Sequence, residues 1–207
     1  MLDLFCGAGG AAMGYYRAFG PDVEIVGVDH RPQPRYPFKF IQADALEFMR
    51  DGRGDGFDFY HASPPCQVFS AMQHIHKNRE RHPDLIAITR DYLIQIGKPY
   101  VIENVPGAPL ENPLMLCGTM FGLRIIRHRL FESNCIPFCL LPPCDHRDVF
   151  DPWHGTVETG RSADNFREAM GIDWMPQIGG PNKSGSLDLA IPPAYTEWIG
   201  RRIMEVA

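Results

Sequence analysis

Phe57-Asp58-Phe59-Tyr60-His61-Ala62-Ser63-Pro64-Pro65-Cys66-Gln67-Val68-Phe69-Ser70 opens as a buried strand and is cut short by two prolines and a cysteine. The prolines stop the strand and set the direction of the chain, so the following residues form a loop at the sheet's edge. In a parallel α/β sheet, ligands bind at the loops that follow the carboxyl ends of strands. Cys66 is therefore placed where a reactive thiol is useful, although a lone cysteine there also reads as a small apolar filler. Its neighbours along the chain decide between the two readings.

Working outward, short apolar runs alternate with helical spacing. Met1-Leu2-Asp3-Leu4-Phe5 reads as a strand, Cys6-Gly7-Ala8-Gly9-Gly10 as a glycine loop, and 11–19 as a helix. Strand, glycine loop and helix suit a nucleotide-type cofactor, because glycines let backbone N–H groups approach a ligand closely. No Gly-Lys-Ser/Thr follows, so the loop is not a phosphate cradle of the Walker type. A second strand, 23–28, ends at Asp29, whose carboxylate suits a ribose diol. A third, 38–42, leads to Asp44, which can cap the helix starting near residue 46 or accept from an adenine amino group.

Beyond Cys66, residues 74–82 form the most basic stretch, either a solvated face or a clamp on a phosphate backbone. Residues 84–96 read as an amphipathic helix. The strand Pro99-Tyr100-Val101-Ile102 ends at Glu103-Asn104-Val105, which puts an ionisable group on the same edge as Cys66. In the run 124–132, strand alternation places Arg127 and Arg129 on one side. Residues 133–186 lose the α/β rhythm, and Ile191-Pro192-Pro193 opens a closing helix, with proline in its favoured first turn. The division expected is a core over 1–132, a small irregular region over 133–186, and a returning segment over 187–207.

Composition is consistent with this. The chain has 207 residues, 44% of them hydrophobic and 22% charged, and a net charge of -5, which argues against a generalised nucleic-acid coat but not against a local basic groove. No apolar run approaches a membrane span and no leader opens the chain, so a cytoplasmic, membrane-free protein is expected. The six cysteines are too unevenly spread for a secreted disulfide scaffold. Cys135, Cys139, Cys144 and His146 have the ligand types of a structural zinc, at a spacing that is not that of a standard finger. The competing reading is ordinary thiols.

These pieces together resemble the DNA cytosine-5 methyltransferase family, most closely its compact, phage-type members. The matching stretches are Asp3-Leu4-Phe5-Cys6-Gly7-Ala8-Gly9-Gly10, Gly27-Val28-Asp29, Ala43-Asp44-Ala45, Ser63-Pro64-Pro65-Cys66-Gln67-Val68-Phe69-Ser70, Glu103-Asn104-Val105, Arg127-His128-Arg129 and Ala190-Ile191-Pro192-Pro193-Ala194. The resemblance implies a Rossmann-like sheet with a small irregular target-recognition appendage. It also implies S-adenosylmethionine as methyl donor and a flipped-out cytosine in DNA as acceptor. Cys66, Glu103, Arg127 and Arg129 would be the catalytic residues. Phe5, Gly7, Gly9, Asp29, Asp44 and Pro65 would hold the donor. The family's Gly-Asn before the last motif is here Asp188-Leu189, and the short appendage implies a short or relaxed recognition sequence. Two alternatives stay open: an RNA cytosine-5 methyltransferase, although the related tRNA enzymes usually carry threonine where Ser70 stands, and a non-catalytic nucleic-acid-binding relative.

Overall fold

The computed structural model describes residues 1–65, 85–136, 141–147, 149, 163–175 and 187–205. Among these residues, seven strands form one sheet: β1 (Leu2–Leu4), β2 (Val26–Asp29), β3 (Lys39–Gln42), β4 (Tyr60–Ala62), β5 (Tyr100–Asn104), β6 (Leu114–Leu116) and β7 (Arg129–Ser133). Their spatial order is β3-β2-β1-β4-β5-β7-β6. Neighbours among the first five strands pair in parallel, whereas β7 runs antiparallel to both β5 and β6. This is the α/β, Rossmann-like sheet expected from the sequence. Its strand order reverses between β1 and β4, the place where such sheets bind ligands.

Alternation along each strand assigns the two faces. Leu2, Leu4, Tyr60, Ala62, Tyr100 and Ile102 point to the face covered by α2 (Ala45–Arg50) and α3 (Leu85–Ile96). The opposite face is covered by α1 (Gly10–Phe19) and α5 (Pro193–Met204), whose Tyr15, Tyr195 and Ile199 pack with Val101, Leu116 and Phe131. Gly14 and Gly200 let these two helices touch closely. A Cβ at Gly14 would overlap the Pro193 carbonyl and the Thr196 hydroxyl, and one at Gly200 would meet Ala18. The Thr196 hydroxyl also donates to the Ala11 carbonyl at 2.8 Å.

The α1/α5 face carries unusual polar cargo, since Asp3, His61 and Glu103 all lie buried there. Tyr36 lies over Gly27 and its hydroxyl donates to Asp3 at 3.0 Å. Burial pushes the Asp3 carboxyl up to about 7; the Tyr36 hydroxyl opposes this and the Asp29 charge adds to it.

Elements absent from the sequence reading are also present. β6 is one, a three-residue strand preceded by proline. Another is α4 (Ala163–Met170), inside the region read as irregular, whose Phe166 and Met170 pack with Ala8, Ile125, Met175 and Leu187. The Trp174 indole N–H donates to the Ala8 carbonyl at 2.9 Å, which ties this segment to the glycine loop. Among the described residues, no helix is long and apolar enough to cross a membrane.

Candidate active site

Glu103 and Arg129 form the centre of the site. Residue 103 of β5 faces Phe131 of β7 in the antiparallel register, so Arg129, two residues along, is its diagonal neighbour on the same face. The guanidinium Nε lies 3.0 Å from the carboxylate Oε1, and both side chains are largely buried. Arg129 also donates to the His128 carbonyl at 2.8 Å. Burial raises the Glu103 carboxyl above the ordinary range, while Arg129, the Ser63 hydroxyl and Arg127 pull it back. The outcome is a carboxyl group that holds its proton more readily than a surface glutamate.

A relay of hydrogen bonds reaches this carboxyl from the core. The Tyr15 hydroxyl lies 3.1 Å from His61 Nδ1, and His61 Nε2 lies 3.0 Å from the Ser63 hydroxyl. Ser63 in turn bonds Glu103. Burial pushes the His61 imidazole down to about 3, so the ring is neutral and has one donor and one acceptor nitrogen. One arrangement satisfies every group: Tyr15 donates to Nδ1, Nε2–H donates to Ser63, and Ser63 donates to Glu103. The sequence reading assigned no role to His61 or Ser63; the available signal was a histidine inside an otherwise apolar strand.

Asn104 supplies the link to the thiol loop. Its Nδ2 donates to the Pro64 carbonyl at 3.0 Å, and its own Oδ1 accepts the Val105 N–H at 2.9 Å. The chain two residues before Cys66 is therefore fixed to the strand that carries Glu103. Cys66 itself, like the basic stretch 74–82 and Cys139, lies outside the described residues.

Arg127 is placed differently from the sequence expectation. β7 begins only at Arg129, so the two arginines do not alternate along a strand. Arg127 is buried, and its Nη2 and Nε donate to the Asp188 carbonyl at 2.7 Å and the Ala190 carbonyl at 2.9 Å. The Tyr195 hydroxyl donates to its carbonyl at 2.6 Å. Burial, and then Arg129, push the guanidinium down to about 9. Its hydrogen bonds to the loop before α5 are made to backbone carbonyls, and the Asp188 charge acts on it as well.

The six residues expected at the donor all lie at the carboxyl ends of β1 to β4. Phe5 leaves β1 in a left-handed conformation at φ 56, and the Cys6 N–H still reaches the Val28 carbonyl at 3.1 Å. The Asp29 carboxylate accepts the Gly7 N–H at 3.0 Å and the Arg31 N–H at 2.9 Å, and His30 Nδ1 lies 3.3 Å from it. A carboxylate offers about four lone-pair positions, so capacity remains for hydroxyl donors. Asp44 caps α2, accepting from the N–H groups of Leu46 and Glu47, each at 2.9 Å. Pro65 is exposed beyond β4. A Cβ on Gly7, at φ 49, would meet open space, whereas one on Gly9 would strike Pro37 at 2.7 Å. The glycine loop is thus closed at Gly9 and open at Gly7.

Two solved structures are similar to this chain. One is a candidate DNA modification methyltransferase encoded within an E. coli prophage, 24% identical over 63% of this chain and 44% of its own, with a TM-score of 0.45. The other is the Dnmt2 methyltransferase of S. pombe, 17% identical over 64% of this chain and 47% of its own, with a TM-score of 0.44. The match thus spans less than half the length of either. No family model and no curated protein matches the chain.

Proposed function

We propose that this protein transfers a methyl group from S-adenosylmethionine to carbon 5 of a cytosine extruded from DNA, through a covalent bond between Cys66 and carbon 6. The observation that carries the reading is the buried Glu103–Arg129 pair, at 3.0 Å, with Ser63 and Pro64, the residues leading to Cys66, bonded to Glu103 and Asn104 of the same strand.

The residues fit the donor. Asp29 presents a fixed carboxylate, the Gly7 backbone borders open space, and Phe5 and Asp44 follow the carboxyl ends of β1 and β3 on either side of β2. When bound, S-adenosylmethionine supplies an electrophilic methyl group on a sulfonium. Everything else is asked of the chain. Carbon 5 of cytosine is a poor nucleophile while the ring stays conjugated. The Cys66 thiolate adds to carbon 6 and sends an electron pair into the ring. Glu103, whose raised affinity for its proton suits it to the task, gives that proton to N3. Arg129 holds O2 and keeps the Glu103 carboxyl aimed. Carbon 5 is then the nucleophilic end of an enamine. After alkylation a base takes the carbon 5 proton, the electron pair of that bond re-forms the carbon 5–carbon 6 double bond, the carbon–sulfur bond breaks to release the Cys66 thiolate, and N3 returns its proton to Glu103. A stacked base is out of reach of such groups, so extrusion or a single strand is required.

Tritiated S-adenosylmethionine offered with DNA and, separately, with RNA tests the reading. Label is expected in DNA cytosine and lost with Cys66→Ser. Label in RNA alone would replace the substrate assignment, and label in neither would remove the enzymatic one.

A further inference from the structure

The four-ligand group that the sequence suggested around Cys135 is not the one the fold assembles. β7 lies between His128 at one end and Cys135 at the other, a separation of about 20 Å along an extended strand. Cys135 instead faces Ser133 at 3.2 Å and the Tyr100 carbonyl at 3.7 Å. Among the described residues, which leave out Cys139, Cys144 and His146 converge instead with Cys117 and His128. One atom from each of Cys117, His128, Cys144 and His146 lies within 4.8 Å of all the others.

The detail of that convergence is informative. Zinc bonds of about 2.3 Å to sulfur and about 2.05 Å to nitrogen, at the tetrahedral angle, place sulfur and nitrogen ligands about 3.6 Å apart. Cys117 Sγ lies 3.6 Å from His146 Nε2, and Cys144 Sγ lies 3.5 Å from His128 Nε2. The two imidazoles meet edge to face, with centroids 5.0 Å apart, and offer one nitrogen each to the cluster. The Thr119 hydroxyl donates to the Cys117 sulfur at 3.5 Å as an outer partner of that ligand. The four ligands come from three distant segments: the end of β6, the turn into β7, and the stretch 141–147.

We propose that Cys117, His128, Cys144 and His146 bind one structural zinc ion, which clamps residues 141–147 to the turn that leads into Arg129. Two sulfur and two nitrogen ligands with tetrahedral spacing select zinc over the harder cations. Four protein ligands leave no open position, so the ion is structural and not catalytic. It has a direct neighbour in the active site, because the carbonyl of His128 accepts from the Arg129 guanidinium. The inference stands on this cluster alone and does not depend on the methyl-transfer reading.

Elemental analysis of the full chain, purified under reducing conditions and dialysed, is expected to find about one zinc per chain. Cys144→Ser/His146→Ala should lower this to under about a tenth, while Cys135→Ser should leave it unchanged. Should the double variant not fold, the wild-type chain still decides the matter. Thiol alkylation with and without a chelator, mapped by mass spectrometry, should show Cys117 and Cys144 protected only while zinc is present. Folded wild-type protein without zinc would overturn the proposal, as would full zinc in the double variant, a Cys117–Cys144 disulfide, or alkylation indifferent to the chelator.

Discussion

Glu103 is under two opposed pressures, burial that favours its proton and the Arg129 charge that favours its loss. A Gln at this position keeps the shape and the hydrogen bonds to Arg129 and Ser63 but has no proton to give N3. Glu103→Gln is therefore expected to lower kcat by about 10²–10⁴-fold with a near-native melting temperature; steady-state kinetics on cytosine-containing DNA checks this. His61 makes a different, purely thermodynamic prediction. Its folded pKa of about 3 lies below the ordinary 6.5, so the unfolded chain takes up its proton first as pH falls. Stability contributed by His61 is complete above 6.5 and is lost on acidification, by about 2 kcal/mol between pH 7.5 and 5. Asp3, raised from 3.8 to about 7, runs the other way: it stabilises the fold below 3.8 and loses that contribution as pH rises through 7. The two nearly cancel. In His61→Asn, Asp3 acts unopposed, so the stability gap between variant and wild type should shrink by about 2 kcal/mol from pH 7.5 to 5. Urea titrations across that range measure the gap; parallel profiles would refute the linkage.

At the scale of elements, the contact between α1 and α5 depends on Gly14. A methyl group there would press on the Pro193 carbonyl and the Thr196 hydroxyl, backbone and hydrogen-bonded groups with little freedom to yield. Gly14→Ala should cost about 2–4 kcal/mol by overpacking, despite alanine's better helix propensity, and thermal melting reads it. Elements of this kind were legible in sequence where one period dominates. The alternation in β1, β4 and β5, the glycine loop, and proline at the start of α5 all announce themselves locally. β6 was not legible, because three residues after a proline carry too little pattern. Nor was the true end of β7: apparent alternation ran through Arg127, but tertiary hydrogen bonds to the Asp188 and Ala190 carbonyls hold that residue outside the strand. The zinc ligands failed for the same reason. Spacing along one segment suggested Cys135, whereas the fold recruits Cys117 and His128 from two others.

Across the whole molecule, Glu103 and Arg129 come from separate strands and meet because β7 returns antiparallel beside β5. The sheet fixes Glu103 and Arg129 side by side, and under the proposed function base-edge readout falls to the short arm over 133–186. That arm is too small for extensive contacts in a groove, so methylation should spread over many sequence contexts; sequencing of modified cytosines in a random-sequence library measures this, and strict four-to-six-base specificity would contradict it. The joint action of Cys66, Glu103 and Arg129 on one pyrimidine is tested most directly by a mechanism-based trap. DNA containing 5-fluorocytosine is incubated with S-adenosylmethionine and the protein, and fluorine blocks the final elimination because it does not leave as a proton does. A denaturant-resistant complex that maps to Cys66 and is absent in Cys66→Ser is the predicted result. The absence of any such complex from an active preparation, or an equal yield from Cys66→Ser, would contradict it.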